Sequence, residues 1–339
     1  MRAIELSSPS LDALRAVTLP RPNPGRGEVL VLVRMRAASL NFIDLAVATG
    51  RYPVPQFPLI PIVDGAGEVA EIGAGITEFA VGDRVIPHSK PLWVGGPARA
   101  SWSTATRGVT MPGSLAEYVV LPESGLVPTP AHLSDEAAAT LPIAGTTAWR
   151  ALRTANIRPG STVALIGTGG VSVFALQLAK AAGATVLITS SSDEKLERAQ
   201  ALGADHTINY RRTPAWDEAV LDMTGGWGAD LVIETGGTET FGRSINAAAI
   251  GGTVFVIGFL TGASASADLF AILKKELSLK GNTTGSVADL RDAARAVAAS
   301  KVAPVVDTTF PIGETPQAYA HLARGGQHFG KIAIAHEPG

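Results

Sequence analysis

The sequence predicts an α/β protein with two domains, a mostly β domain joined to a doubly wound parallel sheet. The length of 339 residues suits two domains of ordinary size. The part up to about residue 125 contains short β-rich segments separated by turn residues. From about residue 135 onward, apolar strands alternate with helical patterns. A hydrophobic content of 46% against 17% charged residues excludes a disordered chain.

Four segments of the first part have the pattern of strands. Residues 29–34 alternate and are β-branched, and they follow a turn-like stretch at 22–25. Residues 65–73, 82–86 and 115–121 combine β-forming residues with glycine or proline turns. We therefore expect a compact, mostly β domain here.

The second part reads as repeated strand–helix units. Buried parallel strands appear as short, continuous apolar runs, and these runs are followed by segments with helical spacing. The predicted strands are 162–166, 185–189, 207–209, 231–234 and 253–257, and the predicted helices are 171–182 and 193–202. The tail adds a helix at 287–299 and strands at 305–310 and 331–335.

Composition excludes several classes of partner. With 28 basic and 30 acidic residues, the chain lacks the positive excess of a nucleic-acid-binding protein. Two charge-free stretches, 159–179 and 244–267, are long enough to cross a bilayer, but glycines interrupt both. They are more typical of a buried strand, a turn and a helix. The first residues lead directly into a strand-like segment without a secretory pattern, so we expect a cytoplasmic protein without a membrane partner.

A glycine turn at the end of the first predicted parallel strand is the sharpest local motif. The strand ends at Gly167, and the helix opens just after Gly169 and Gly170, with Val171 as its first residue; these four residues are candidate cofactor contacts. Glycine permits a tight turn and lets backbone N–H groups approach a pyrophosphate at a helix N-terminus. The third glycine of the usual pattern is Ser172 here, which is small enough for close packing. The motif predicts dinucleotide binding; the alternative is a glycine turn that binds nothing.

The end of the second parallel strand favours NADPH over NADH. An NADH site usually places a carboxylate there for the ribose 2′-hydroxyl, whereas this chain has Ser190 and Ser191. Hydroxyl groups and a nearby cation accept a 2′-phosphate that a carboxylate would repel. Lys195 and Tyr210 are the candidates that complete this pocket, and Arg211 is a further possibility.

The same serines also have an interpretation as a helix cap. Ser191 and Glu194 fit the spacing of a capping box. We expect the carboxylate of Asp193 to interact with the helix dipole rather than with the ribose. The capping role and the phosphate-binding role can coexist.

A series of ordered motifs resembles the medium-chain dehydrogenase/reductase superfamily, and most closely its zinc-independent, quinone-oxidoreductase-like branch. The resemblance covers essentially the whole chain. Its motifs lie at 38–44, 50–53, 64–69, 82–85, 145–149, 167–172, 203–210 and 329–331.

The resemblance implies a domain organisation and an assembly. A GroES-like catalytic domain, residues 1–125 with 283–339, is expected around a Rossmann domain at 126–282, with the cofactor in the cleft between them. We also expect a homodimer in which strand 253–257 pairs across a two-fold axis.

The positions that hold zinc in related enzymes carry unsuitable residues here. The resemblance places the zinc ligands at Asn41, Val63 and Ile143, and the remaining Asp64 is a single carboxylate. The lobe at 88–112, which matches the structural zinc lobe, contains no cysteine, and the chain has none at all. The hydroxyl relay of zinc alcohol dehydrogenases would fall at Ile43. We therefore predict no metal.

Three residues are implied near the nicotinamide, namely Asn41, Asp44 and Tyr52. Asn41 is a candidate donor to an acceptor oxygen, and Asp44 is expected to orient its neighbours. Tyr52 either donates a hydrogen bond and closes the pocket wall or packs on Pro53 and Pro55.

Further cofactor and substrate contacts follow from the same resemblance. Thr147 is expected at the nicotinamide ribose or a phosphate, Gly258 and Phe259 at the nicotinamide, and Lys331 also at the cofactor. The lobe at 88–113 is the least family-like region, and we expect it to shape acceptor specificity. Its candidate pocket residues are His88, Trp93 and Trp102, although the two tryptophans have the alternative of packing the loop.

The function predicted from the sequence is a zinc-independent, NADPH-dependent oxidoreductase that transfers hydride to a small-molecule acceptor. Without a strong Lewis acid, acceptors with a delocalised reduced form are favoured, namely quinones and α,β-unsaturated carbonyls. One alternative is a metal-free NADP-dependent alcohol or aldehyde dehydrogenase. Another, of a different class, is an NADPH-binding protein without turnover.

Overall fold

The protein consists of two compact units in the computed structural model, which describes residues 1–24 and 30–337. The first unit comprises Met1–Thr146 and Gly285–Gly339, and the second comprises Thr147–Thr284. The first boundary predicted from the sequence is 125/126. Residues up to Thr146 instead belong with the first unit, because the strand Leu126–Pro128 pairs with Arg84–Pro87.

Fifteen strands lie in the described residues. They are β1 (Arg2–Leu6), β2 (Leu14–Thr18), β3 (Leu30–Leu40), β4 (Asp64–Ile72), β5 (Arg84–Pro87), β6 (Tyr118–Pro122), β7 (Leu126–Pro128), β8 (Thr162–Leu165), β9 (Thr185–Ser190), β10 (His206–Asn209), β11 (Ala229–Glu234), β12 (Ala248–Val256), β13 (Ser278–Gly281), β14 (Val306–Pro311) and β15 (Lys331–Ala335).

Eleven α-helices accompany these strands in the same residues. They are α1 (Phe42–Ala48), α2 (Ala100–Ser103), α3 (Asp135–Ala138), α4 (Thr146–Thr154), α5 (Gly170–Ala181), α6 (Asp193–Ala201), α7 (Trp216–Met223), α8 (Phe241–Ala247), α9 (Leu269–Lys274), α10 (Val287–Ser300) and α11 (Thr315–Ala323). A π-helical turn, Leu141–Gly145, precedes α4.

The first unit is built on a seven-stranded mixed sheet. The strand order is β14-β15-β3-β4-β5-β7, and β6 pairs with β3. The long strand β3 is central because it pairs antiparallel with β15, β4 and β6 along its length. Its apolar side chains enter buried clusters with those of β4, β6 and α1. The pairing of β3 with β15 brings the C-terminal segment beside residues near the start of the chain.

The second unit is a six-stranded parallel sheet with the strand order β10-β9-β8-β11-β12-β13. This order places the first three strands of the unit, β8 to β10, on one side and the later three, β11 to β13, on the other, as in dinucleotide-binding folds. The central strands β8, β9 and β11 are almost fully buried, which explains their continuous apolar sequence. The alternation of strands and helices predicted from the sequence is therefore confirmed.

The predicted pairing of strand 253–257 with a second subunit is wrong in its location. β12 covers most of that segment, and it pairs with β11 on one side and with β13 on the other. The sequence analysis missed β13 because its residues Ser278–Gly281 are exposed and lack an apolar run. Among the described strands, β13 forms that edge of the sheet.

Most predicted elements appear with small shifts of their ends. Predicted strand 29–34 is the start of the longer β3, and Val29 and the turn residue Gly25 lie outside the described residues. The C-terminal strand matches β15 at both ends. Over the described residues, no helix has the length and apolar character needed to span a membrane.

Candidate functional site

The glycine turn leaves an open helix N-terminus at the carboxyl end of β8. Gly167 has a φ of +76°, which favours glycine, and apart from its two chain neighbours no atom of the described residues lies within 4 Å of where its side chain would begin. Gly169 is the N-cap of α5 and has no side-chain cap. The hydroxyl of Ser172 donates to the carbonyl of Ile166 at 3.0 Å and ties the helix to the strand. The turn thus presents free backbone N–H groups, with helix-dipole support, to an anion.

The serines after β9 shape the start of α6. The amide of Ser192 donates to the hydroxyl of Ser190 at 3.3 Å, and the amide of Lys195 donates to the hydroxyl of Ser192 at 3.4 Å. Ser192 is therefore the N-cap of α6, and the predicted capping box of Ser191 with Glu194 is wrong by one residue. The displaced cap leaves Ser191 without a capping role.

Asp193 is the carboxylate nearest in sequence to the β9 end, and it is already engaged. It pairs with the guanidinium of Arg212 and accepts from the amide of Asn209 at 2.8 Å. The hydrogen bond from Arg212 has the largest effect, and together with that from Asn209 it lowers the pKa of Asp193. Lys195 is buried at the start of α6, whereas Tyr210 is exposed in the turn after β10.

The loops after β11 and β12 border a cavity of about 350 Å³. Glu234 organises the first loop, because one carboxylate oxygen accepts from the amides of Gly236 and Gly237 and from Thr240, and the other accepts from Ser244. A side chain at Gly258 would meet the carbonyl oxygen of Thr235 at 1.9 Å. Loop-to-loop packing by itself therefore requires glycine there. The cavity wall also includes Thr238, Phe241, Val256 and Phe259.

The second unit also contains an unused polar atom at Thr147. This residue is 1% exposed, and its hydroxyl has no hydrogen-bond partner among the described residues. An orphaned buried hydroxyl is costly unless a ligand or water satisfies it. The open α5 terminus and this hydroxyl fit the phosphate and ribose groups of a nicotinamide dinucleotide.

In the first unit, Asn41, Asp44, Asp64 and Lys331 form one hydrogen-bonded network, which we call the polar cluster. The ammonium of Lys331 donates to Asn41 Oδ1 at 2.6 Å and to the Leu40 carbonyl at 2.7 Å. It lies 3.6 Å from Asp64 Oδ2. The Asn41 amide Nδ2 donates to the same Asp64 oxygen at 2.9 Å.

Asp44 joins the cluster through backbone groups. Its Oδ2 accepts from the amide N of Asn41 at 2.7 Å, and its Oδ1 accepts from the amide N of Val63 at 2.9 Å. Asn41 is the N-cap of α1, so Asp44 lies in the first turn of that helix. The predicted orienting role of Asp44 corresponds to these two bonds, which connect α1 to the segment before β4.

Burial changes the acid–base properties of both carboxyl groups. Desolvation raises the pKa of Asp64 to about 7 and that of Asp44 to about 6, while Lys331 and the hydrogen bonds of Asn41 act in the opposite direction. Desolvation likewise lowers the pKa of Lys331, and the two carboxylates raise it. Near neutral pH the cluster can hold or release a proton at Asp64.

The polar cluster does not fit a tetrahedral zinc ion. The positions matched to zinc ligands hold the amide of Asn41 and the apolar side chains of Val63 and Ile143, which pack in the core. The ammonium of Lys331 already lies against Asp64. No group of three or more histidine, cysteine, aspartate or glutamate side chains in the described residues could bind a metal ion.

Arg107 is a buried cation that the sequence analysis did not single out. Its guanidinium donates to Ser114 at 3.1 Å and to the carbonyl of Val63 at 3.5 Å, and it is fully buried. Burial lowers its pKa to about 10, and Asp64 raises it. No periodic pattern or motif surrounds Arg107, so only the packing of its lobe reveals it.

The predicted substrate residues of the lobe are mostly internal. His88 is fully buried, its Nδ1 contacts the backbone of Lys90, and burial lowers its pKa to about 4. Trp93 is 2% exposed, and its indole N–H donates to the Gly96 carbonyl at 2.9 Å. Trp102 is half-buried under the guanidinium of Arg99. For Trp93, the alternative that it packs the loop fits the structure, because its ring lies in the interior of this unit.

Tyr52 lies outside the polar cluster. It follows α1, its backbone amide donates to the Ala46 carbonyl at 3.0 Å, and its side chain is 37% exposed. Its hydroxyl has no hydrogen bond within the described part of the chain. The residue is thus available to a ligand but is not held in one orientation.

Comparison with known proteins agrees with both units. Residues 26–131 match the model of the alcohol dehydrogenase GroES-like domain, and residues 170–299 match that of the zinc-binding dehydrogenases. A zinc-type alcohol dehydrogenase-like protein of Schizosaccharomyces pombe is 41% identical over 92% of this chain and 91% of its own.

Relatives with other names align over a similar length. An acryloyl-coenzyme A reductase of Metallosphaera sedula is 32% identical over 92% of this chain and 93% of its own. A quinone oxidoreductase of Pseudomonas aeruginosa is 32% identical over 88% of this chain and 89% of its own.

A solved structure shares the fold over its whole length. The crystal structure of an NAD-dependent alcohol dehydrogenase superposes with a TM-score of 0.88 at 35% identity and covers 99% of both chains. Sequence and fold together identify the chain as an oxidoreductase of the medium-chain dehydrogenase/reductase superfamily, with a GroES-like domain and a Rossmann domain.

Proposed function

We propose that this protein is a zinc-independent, NADPH-dependent reductase of quinones and α,β-unsaturated carbonyls. The observation that carries the proposal is the polar cluster, in which a lysine ammonium and an asparagine amide lie beside Asp64. Such a site offers charge stabilisation and a proton store but no Lewis acid. Two relatives support this class of acceptor, since one is named an acryloyl-coenzyme A reductase and the other a quinone oxidoreductase.

The choice of NADPH rests on the β9 end. Ser190 stands where an NADH site usually has a carboxylate, and the carboxylate of Asp193 is paired with the guanidinium of Arg212 and accepts from the amide of Asn209. A 2′-phosphate there meets hydroxyl groups and no free carboxylate, with Lys195 and Tyr210 as the flanking candidates. NADPH, when bound, supplies the hydride for the reaction.

The contribution of the GroES-like domain is to stabilise charge and to hold a proton. An acceptor that gains a hydride develops negative charge on its oxygen, and the ammonium of Lys331 supplies a fixed positive potential. Asp64, with its pKa near 7, stores a proton at neutral pH. Asn41 uses both ends of its amide within the cluster, so we assign it a positioning role in place of the donor role expected from the sequence.

A steady-state panel tests this function. Quinones, enones and saturated aldehydes are compared by kcat/KM with NADPH and with NADH after dialysis against a chelator. The proposal expects quinones or enones to be preferred, and NADPH to be preferred over NADH. A preference for saturated aldehydes would support the alternative of a metal-free alcohol or aldehyde dehydrogenase; other relatives are named alcohol dehydrogenases, one of them zinc-type. NADPH binding without turnover on any acceptor would indicate a binding protein.

A further inference from the structure

The ammonium of Lys331 occupies a closed cage of oxygen atoms. It donates hydrogen bonds to the Leu40 carbonyl at 2.7 Å and to Asn41 Oδ1 at 2.6 Å, and it lies 3.6 Å from Asp64 Oδ2 as an ion pair. The side chain is 4% exposed. The two hydrogen-bond acceptors and the counterion of this buried cation thus belong to the GroES-like domain itself, which is the arrangement a buried charge requires.

Lys331 fixes the orientation of the Asn41 amide. An ammonium can only donate, so the atom of Asn41 that it contacts must be the oxygen. The opposite end of the amide must then be the NH₂ group, which donates to Asp64 Oδ2 at 2.9 Å. A reversed amide would place its oxygen against a carboxylate and its NH₂ group against the ammonium. The cation therefore orients Asn41, and Asn41 in turn holds Asp64.

The backbone places Lys331 in this cage through several independent features. β15 pairs antiparallel with β3, with Ile332 opposite Leu40, and Ser39 donates to the Ile332 carbonyl at 2.9 Å. Gly330 has a φ of +86°, and a side chain there would meet the Val305 carbonyl oxygen at 2.5 Å. The glycine before the lysine is therefore required for the chain to enter β15 at this position.

We propose that Lys331 is a positioning residue of the catalytic cluster, a resident cation that holds Asn41 and Asp64 in their active arrangement, and not a cofactor ligand. The inference rests on the proposed reductase function. It predicts that the cage accepts a small free cation when the side chain is truncated. Propylammonium corresponds to the atoms that Lys331→Ala removes.

The experiment compares Lys331→Ala with Lys331→Met, which removes the charge but keeps the side chain filling the space. Both variants are expected to lose about 10- to 100-fold in kcat/KM for the acceptor, as expected for lost hydrogen bonds to a charged group. Propylammonium is expected to restore at least about fivefold to Lys331→Ala and nothing to Lys331→Met. It is also expected to raise the Tm of Lys331→Ala alone, because it binds only the folded cage.

Two controls separate cage binding from general salt effects. Tetramethylammonium at equal ionic strength is too large for the cage and has no N–H donor. Lys275→Ala removes a lysine whose ammonium contacts the carbonyls of Asn246 and Ala248 in the Rossmann domain. Its kcat/KM is expected to show no response to propylammonium, since that lysine belongs to neither the cluster nor the cofactor turn.

The outcomes distinguish this inference from the proposed function. If the wild type is active but propylammonium changes neither the kcat/KM nor the Tm of Lys331→Ala, or if it acts equally on Lys331→Met, the inference is overturned. If Lys331→Ala does not fold, Lys331→Met provides the test. The inference is also overturned if Lys331→Met has both the NADPH Kd and the kcat/KM of the wild type. A wild type that reduces no acceptor refutes the proposed function, and the Tm response then decides whether the cage binds the cation.

Discussion

The ammonium of Lys331 donates a hydrogen bond to Asn41 Oδ1 over 2.6 Å, although 290 positions separate the two residues in the chain. The bond exists because the last strand, β15, lies against β3 in the same sheet. It connects the C-terminal tail to the start of α1 and completes the polar cluster.

The stability of the protein should depend on pH through Asp64. Its pKa is raised by burial from 3.8 to about 7, so the folded chain retains a proton that the unfolded chain has lost between those values. Stability from this group therefore falls as pH rises from about 4 to about 7, by at most about 1.4 kcal/mol per pH unit. Asp44 also makes stability fall as the pH rises to about 6. Burial lowers the pKa of Lys331 and of Arg107, so these two groups make stability rise with pH in the alkaline range.

Asp64→Asn should remove that dependence between about pH 6 and about pH 7, where Asp44 no longer contributes. Urea midpoints measured across this range provide the comparison. Asp222→Asn, which changes an exposed residue of α7, is the control and should keep the wild-type slope. An unchanged slope in Asp64→Asn would mean that another group carries the dependence.

Asn41→Asp should shift the pH dependence of catalysis upward. A carboxylate at this position lies within about 3 Å of Asp64 and close to Asp44, and like charges raise each other's pKa. Lys331 and Arg107 offset only part of this repulsion. We expect the midpoint of the kcat/KM profile to move up by about one pH unit. Asn156→Asp, the same change at an exposed position of the other domain, should leave the midpoint in place.

Cofactor preference should change at the β9 end. Ser190→Asp adds a carboxylate that repels a 2′-phosphate, so the ratio of the NADH and NADPH dissociation constants should shift at least about tenfold toward NADH. Fluorescence titration measures both constants. Lys195→Ala and Tyr210→Phe should each weaken NADPH more than NADH.

The matched control for cofactor preference is Thr154→Asp. It adds the same charge at an exposed position near the end of α4, in the same domain. This variant should keep the wild-type ratio of the two dissociation constants. If Lys195→Ala and Tyr210→Phe also keep it, the 2′-phosphate pocket lies elsewhere.

Metal analysis should give no stoichiometric zinc, and a chelator should not reduce activity. The physical reason is that the positions matched to zinc ligands carry Asn41, Val63 and Ile143 beside a resident ammonium. Elemental analysis of protein purified with zinc in the buffer provides the most demanding comparison. One zinc per chain, lost together with activity on chelation, would be incompatible with this account.

A homodimer should form through β13 and α9 rather than through the segment predicted from the sequence. β13 is an exposed edge strand, and the adjacent α9 exposes Leu269, Phe270 and Leu273 by more than 70% each. Phe270→Glu combined with Leu273→Glu should convert a dimer to a monomer in light scattering without loss of helical signal. Val81→Glu, at an exposed position of the other domain, should leave the dimer intact.

The fold could be predicted from sequence to a large extent because its signals are local. The continuous apolar runs of β8, β9 and β11 and the glycine turn at Gly167 and Gly169 depend on neighbouring residues only. β13 could not be predicted, because an exposed edge strand needs no apolar pattern. The cap of α6 was misplaced by one residue because Ser191 has the capping-box spacing with Glu194, whereas Ser192, the actual cap, is followed at that spacing by Lys195.

The site was predictable only where a motif marked it. Asn41 and Lys331 each lie in a motif, but the hydrogen bond between them depends on the pairing of β3 with β15. Arg107 has no motif, and its proximity to Val63 and Ser114 follows from how the lobe folds back on the sheet. Long-range pairing and the burial of single charges are decided by tertiary packing, which a local pattern does not encode.

One substrate with two possible products distinguishes a reductase of activated double bonds from an alcohol dehydrogenase. Metal-stripped protein is given NADPH deuterated at the transferred position together with trans-2-hexenal, and the product is analysed by mass spectrometry and NMR. A reductase of activated double bonds places deuterium at C3 and yields hexanal, and added 1,4-benzoquinone competes for the same hydride. Deuterium at C1 of 2-hexen-1-ol as the main product, or turnover only after zinc is added, would contradict the account.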